Sequence, residues 1–100
     1  MSYVKRVPSD SAPSATLVSG SQTANAAGAT LAASGELKLG VWVQNPTANT
    51  DAVEVIASGS SVGLQLAAND TPVFIACKDL SLVTVKRTGA ADKTVYFFGF

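Results

Sequence analysis

Residues 36–45, Glu-Leu-Lys-Leu-Gly-Val-Trp-Val-Gln-Asn, decide the fold class. Aliphatic side chains occupy every second position of this segment, at Leu37, Leu39, Val41 and Val43. A period of two places alternate side chains on opposite faces of a β-strand, so the segment predicts a strand with one buried face. We expect the strand to end at Asn45-Pro46, because proline has no N–H to donate to a neighbouring strand.

Segments of the same kind recur towards the C-terminus, at residues 51–58, 62–66, 71–77, 80–87 and 94–100, with short turns between them. Val53, Val55 and Ala57 share one parity in the first of these segments, and Val62, Leu64 and Leu66 alternate in the second. This regular spacing is typical of an antiparallel sandwich or barrel. We predict an all-β domain, an antiparallel β-sandwich, over residues 15–100.

The chain before residue 36 has a different composition, dominated by Ala, Ser, Thr and Gly. Residues 1–14 contain two prolines and little that can be buried, so we predict an extended N-terminal arm. Residues 15–19 resemble a strand. Residues 24–33 predict a small-residue loop with one short strand near residues 30–33, or alternatively a single helical turn.

The last strand is apolar on both parities. Val95, Phe97 and Gly99 fall on one side, and Tyr96, Phe98 and Phe100 fall on the other. A strand of this kind is usually covered on both faces. In so small a domain we expect the second cover to come from another subunit, with Tyr96, Phe98 and Phe100 as the interface, or from the chain's own arm.

The composition of the chain argues against several classes of protein. The 100 residues hold seven basic and seven acidic side chains, so the net charge is zero, which disfavours a nucleic-acid-binding protein. No apolar run is long enough for a transmembrane helix, and no apolar core follows Lys5 and Arg6 as in a signal peptide. We therefore expect a soluble protein made inside the cell, with neither a nucleic acid nor a membrane as its partner.

No combination of residues in the sequence indicates a catalytic site. Histidine, the commonest general base and metal ligand, is absent. The acidic residues are scattered and mostly fall in turns, where a carboxylate typically accepts a backbone N–H; we predict no enzyme, no cofactor and no metal site. The single cysteine, Cys77, ends an apolar run and is expected to be a small buried side chain. Glu54 and Lys38 are expected to form a cross-strand pair.

Trp42 stands apart because it lies on the polar parity of the central strand. It could be a partly covered sheet residue beside Gly40. Alternatively, an exposed tryptophan there would stack on a sugar or contact a partner, with Gln44 and Asn45 as polar neighbours.

The order of features resembles the small β-sandwich virion proteins of tailed bacteriophages, in particular those that decorate or cement the capsid. The resemblance covers about the last two-thirds of the chain and is carried by strands and turns at residues 39–45, 53–55, 63–70, 72–75, 79–85 and 89–100. It implies a jelly-roll-like sandwich, a homo-oligomer, specifically a trimer, and a place on the capsid surface after synthesis in the host cytoplasm. The implied partner is the major capsid protein or another virion protein.

The predicted arm suits such a role. Tyr3 and Val4 would serve as apolar anchors and Lys5 and Arg6 as charged donors, in a groove or along a strand of a neighbouring subunit. Two alternatives remain: a neck, tail or fibre component of the virion, and a carbohydrate-binding or adhesive module that uses Trp42.

The central strand yields a stability test. Val41→Asp should place an unpaired charge on the core face and prevent folding, whereas Lys38→Asp on the other face should change stability little. Urea unfolding followed by circular dichroism compares the two variants. Equal tolerance of both would show that the assigned parity is wrong.

Overall fold

The computed structural model describes residues 17–69 and 71–100, and it is all-β over these ranges. Its strands are β1 (Val18–Ala24), β2 (Ala29–Thr30), β3 (Gly40–Gln44), β4 (Val53–Ala57), β5 (Gly63–Leu66), β6 (Val73–Ala76), β7 (Val83–Arg87) and β8 (Lys93–Gly99). They form two antiparallel four-stranded sheets, in the orders β1-β8-β3-β6 and β2-β7-β4-β5. The prediction of an antiparallel all-β domain is confirmed.

The strand pairing follows one simple rule. β1 pairs with β8, β2 with β7, β3 with β6 and β4 with β5, so the first half of the chain runs back along the second half as one long antiparallel ribbon. Two further pairings, β3 with β8 and β4 with β7, divide the folded ribbon between two sheets. The edge strands are β1 and β6 in one sheet and β2 and β5 in the other.

The core contains side chains from both sheets, which therefore pack against each other. Val41 and Val43 of β3 and Val53 of β4 are fully buried in it, as is Val95 of β8, and Phe97 is nearly so. In β8 burial alternates along the whole strand. The predicted parity is therefore confirmed for Val41 and Val43 and for the inner face of the last strand.

Leu39 departs from that parity. It is 49% exposed, whereas Leu37, two residues earlier, is buried. The backbone N–H groups of Leu39 and Gly40 both donate to the carbonyl oxygen of Phe100, at 2.9 and 3.1 Å. Two residues opposite one is the arrangement of a β-bulge. Leu39 belongs to the bend that precedes β3, so its side chain does not follow the alternation of the strand. A side chain at Gly40 would overlap the carbonyl oxygen of Ile75, which explains the glycine at this point.

Other predicted details also need correction. In β4 the buried residue near the end is Ile56, and Ala57 is exposed. Leu64 of β5, an edge strand, is exposed as well. The predicted strand over residues 80–87 begins with a turn of 3₁₀-helix, Leu80–Leu82, and only then becomes β7.

The first part of the chain also differs from its prediction. The strand-like segment at residues 15–19 corresponds to β1, which starts later and runs to Ala24. In the alanine-rich segment the short strand is Ala29–Thr30, and there is no helical turn. The predicted arm, residues 1–14 with Tyr3, Val4, Lys5 and Arg6, lies outside the described residues.

The predicted pair of Glu54 with Lys38 is wrong. Lys38 precedes β3 in one sheet, and Glu54 belongs to β4 in the other. Across its own sheet Glu54 faces Lys86 of β7 and Gln65 of β5. The sequence pattern identifies strands but does not assign them to a sheet, and that assignment decides which charges face each other.

Asn45 links the end of β3 to both neighbouring loops and to the other sheet. Its side-chain amide is fully buried, and Nδ2 donates to the carbonyl oxygens of Leu66 (2.8 Å) and Asp51 (3.1 Å). Its Oδ1 accepts from Nδ2 of Asn49, at 2.6 Å, and Asn49 Nδ2 also donates to the carbonyl oxygen of Thr94. One amide thus connects β3, the turn that follows it, the end of β5 and, through Asn49, the start of β8.

Asn45→Ala should destabilise the fold by about 3 kcal/mol, because the carbonyl oxygens of Leu66 and Asp51 lose their donor and Asn49 loses one of its two acceptors. Gln44→Ala, at the exposed position next to it, is the matched control and should change stability by less than about 0.5 kcal/mol. Urea unfolding curves of the two variants test this. Equal unfolding midpoints would show that the Asn45 network contributes nothing.

Candidate functional site

The outer face of the β1-β8-β3-β6 sheet carries a cluster of aromatic side chains, here called the aromatic face. It consists of Trp42 on β3, Phe74 on β6, Tyr96 and Phe98 on β8, and Phe100 just after β8. The alternation that buries Val41, Val43 and Phe97 turns Trp42, Tyr96 and Phe98 outward. The surface is therefore a direct consequence of the core pattern.

Strand register brings these rings together. Phe98, Trp42 and Phe74 stand opposite one another on adjacent strands, in a row that starts at Ser19 of β1. The ring centroids of Trp42 and Phe74 are 5.1 Å apart, those of Phe74 and Phe100 are 6.1 Å apart, and those of Phe98 and Phe100 are 6.4 Å apart. These separations, with tilted planes, are those of interacting aromatic pairs.

The aromatic face remains open to solvent. Trp42 is 41% exposed and Phe98 is 44% exposed, with Tyr96 similar. Ser19, Ser21 and Thr23 of β1 border the aromatic residues on one side. Large apolar side chains grouped on one surface, with polar residues at its border, are typical of an interaction site.

A shallow groove of about 220 Å³ runs across this face. Trp42, Gln44, Pro72, Tyr96 and Phe98 line it. It offers aromatic surfaces for stacking and one side-chain amide for hydrogen bonding. Asn45 does not contribute to it, because its amide is buried in the network that joins the loops; its suggested role beside Trp42 is therefore wrong.

The structure gathers four of the predicted site residues, Trp42, Tyr96, Phe98 and Phe100, on one surface. Phe74 was missed as a member of it. The sequence could have predicted its outward position, because Phe74 lies between Val73 and Ile75, which pack against the core, and therefore has the opposite parity. What the sequence lacked was the register that sets Phe74 beside Trp42.

A second apolar surface lies between the free edges of the two sheets, at β5 and β6. This cleft has a volume of about 790 Å³, and it is here called the edge cleft. Its lining is mostly aliphatic and includes Ile56, Val62, Leu64, Ile75 and Leu82. Val62, Leu64 and Leu82 are exposed at its margin. Sequence alone did not reveal this surface, because its residues come from strands of different sheets.

Cys77 lines the edge cleft and is partly buried against the core, broadly as expected. Burial raises the pKa of its thiol, which keeps the less reactive protonated form dominant at neutral pH. Asp79, two residues later, begins the 3₁₀ turn: its Oδ1 accepts the backbone N–H of Ser81 at 2.9 Å. That hydrogen bond lowers the pKa of the Asp79 carboxyl group.

Within residues 17–69 and 71–100, no group of three or more His, Cys, Asp or Glu side chains is placed to hold a metal ion. In the same ranges no helix has the length and apolar character needed to cross a membrane. The search of known protein-family models, of curated proteins and of solved structures found no significant match to this chain.

The Asp79 turn predicts a pH-dependent contribution to stability. A carboxyl group whose pKa is lowered by folding stabilises the native state above its unfolded pKa of about 3.9, and this contribution is lost as the pH falls through the folded value. Asp79→Ala should therefore lower the urea midpoint at pH 7, and the difference from the parent should shrink at about pH 2. Asp79→Asn, which keeps an acceptor but does not titrate, is the control. A difference that is equal at both pH values would contradict this.

Proposed function

We propose that this chain is a structural virion protein that decorates or cements the capsid of a tailed bacteriophage. In this proposal it acts as a homo-oligomer, specifically a trimer, and binds across neighbouring major capsid subunits. The observation that supports it best is the aromatic face, a group of exposed rings on one sheet.

The strand order supports a jelly-roll assignment, which goes beyond the two antiparallel sheets. A jelly roll arises when a long antiparallel ribbon of eight strands wraps into two sheets. The pairings β1/β8, β2/β7, β3/β6 and β4/β5, with sheet orders β1-β8-β3-β6 and β2-β7-β4-β5, fit that description. Viral capsid proteins are among those that use this architecture, which is support by analogy of fold.

The aromatic face is proposed as the contact between subunits. Rigid rings bury a large area at a low cost in conformational entropy, and interfaces are enriched in Trp, Tyr and Phe for that reason. Ser19, Ser21 and Gln44 would form a polar border around the rings. The zero net charge removes long-range repulsion between copies, which also favours self-association.

The arm is proposed as the contact with the shell. Tyr3 and Val4 would anchor it, and Lys5 and Arg6 would donate to acidic groups of the capsid. An oligomer would present several arms at once, so weak single contacts would add to a strong attachment. A neck, tail or fibre component would use the same parts against a different virion protein.

A carbohydrate-binding function is the second candidate, because Trp42 and Gln44 share the shallow groove on the aromatic face. An exposed indole ring beside an amide provides a stacking surface and a hydrogen-bonding group for a sugar. The two functions require different environments for Trp42. Sugar binding requires Trp42 to be accessible to the ligand, whereas a subunit interface would bury it.

The decisive variant is Phe98→Glu, which would place like charges at the centre of the proposed subunit contact. Light scattering should give about three times the 10.2 kDa chain mass for the parent and the mass of one chain for Phe98→Glu. Thr94→Glu, on the same face of β8 and also exposed, is the control and should keep the oligomer. The parent should also cosediment with shells of the major capsid protein of the virus that encodes it.

The proposal would be overturned if the parent protein were a monomer in light scattering and did not cosediment with those shells. Glycan binding by such a monomer, lost in Trp42→Ala, would move the assignment to the carbohydrate-binding module.

A further inference from the structure

The edge cleft, with a volume of about 790 Å³, has no role in the proposed function. Leu64 and Val62, on its β5 side, are 65% and 76% exposed. Ile75 and Cys77 line its β6 side. Exposed aliphatic side chains grouped at the margin of an apolar cleft are typical of an interaction surface.

The backbone around the cleft suits an extended occupant. β5 and β6 are each the last strand of their sheet, so each is paired along one edge only. An extended peptide entering the gap can add its backbone hydrogen bonds to such an edge and place its apolar side chains in the cleft.

The first described strand begins at the same end of the sandwich as the cleft. Val18, the first residue of β1, lies in one cross-strand row with Gly99, Val41 and Ile75. β1 therefore begins at the end of its sheet where β6 passes into Ala76 and Cys77, which line the cleft. β1 and β6 are the two edges of this sheet, three strand spacings or roughly 15 Å apart.

The segment before β1 has the length and composition to span that distance. Residues 8–16, Pro-Ser-Asp-Ser-Ala-Pro-Ser-Ala-Thr, are small or polar, as in a linker. Fully extended they span about 30 Å, twice the distance needed. Tyr3, Val4 and Val7, ahead of this linker, are the apolar side chains that the cleft would accept.

We propose that, in the free protein, residues 2–7 of the N-terminal arm bind in the edge cleft of their own chain. The short linker gives the arm an effective concentration on the order of millimolar at its own cleft, far above that of a second copy in dilute solution. This contact precedes attachment to any other protein, so the inference does not rest on the proposed function.

Cys77 provides a reporter, because it lines the cleft and is the only cysteine of the chain. We would measure its alkylation by iodoacetamide at pH 8 in the full-length protein. Tyr3→Asp/Val4→Asp/Val7→Asp should release the arm and accelerate alkylation severalfold. Ser9→Asp/Ser11→Asp, which adds charge to the linker only, should react at the parent's rate.

A cleft-side variant completes the test. Leu64→Asp should also accelerate alkylation, and combining it with the triple arm variant should give no further increase, since both remove the same contact. Circular dichroism and urea unfolding verify that each variant is folded. The Phe98→Glu background allows the measurement on a protein without the aromatic contact, so that failure of one proposal can be told from failure of the other.

Three results would overturn the inference. The first is an unchanged alkylation rate in a folded triple arm variant. The second is equal acceleration by the linker control. The third is protection of Cys77 from alkylation in the parent protein that disappears on dilution. That result would show that the cleft binds the arm of a second copy.

Discussion

The buried amide of Asn45 is the interaction on which the rest of this structure depends. It lies where the central strand ends, and its hydrogen bonds fix the end of β5 and the turn that leads to β4. Through Asn49 the same network reaches the start of β8. A buried polar group must be paired to be tolerated, so this amide favours one arrangement of the loops over all others. The register of β3 and β8, and with it the aromatic face, follows from that arrangement.

The aromatic face and the core are two results of one alternation. β8 buries Val95 and Phe97 and exposes Tyr96 and Phe98. A sheet with one wet face would ordinarily carry polar residues at those outer positions. Here aromatic rings occupy these positions instead, contact one another across the strands and leave an apolar surface open to solvent.

The two apolar surfaces are distinct in position and in kind. The aromatic face is a flat surface in the middle of a sheet and suits another flat surface. The edge cleft is a gap between sheet edges and suits an extended chain. The proposals for the two surfaces therefore assign a folded partner to one and the protein's own arm to the other.

The alternation of apolar and polar residues by itself determined the all-β class, most strands and the side chains that face the core, since a period of two has only one structural meaning in segments this short. It also placed Trp42, Tyr96 and Phe98 on outer positions. It failed at Leu39, which lies in the bend before β3, and at Lys38 and Glu54, which do not share a sheet.

Tertiary structure alone decided which strands are neighbours. That choice set Phe74 beside Trp42, left β5 and β6 as free edges with the cleft between them, and buried Asn45. The physical reason is that alternation is a property of one strand, whereas pairing depends on hydrogen bonds and packing between residues far apart in the chain.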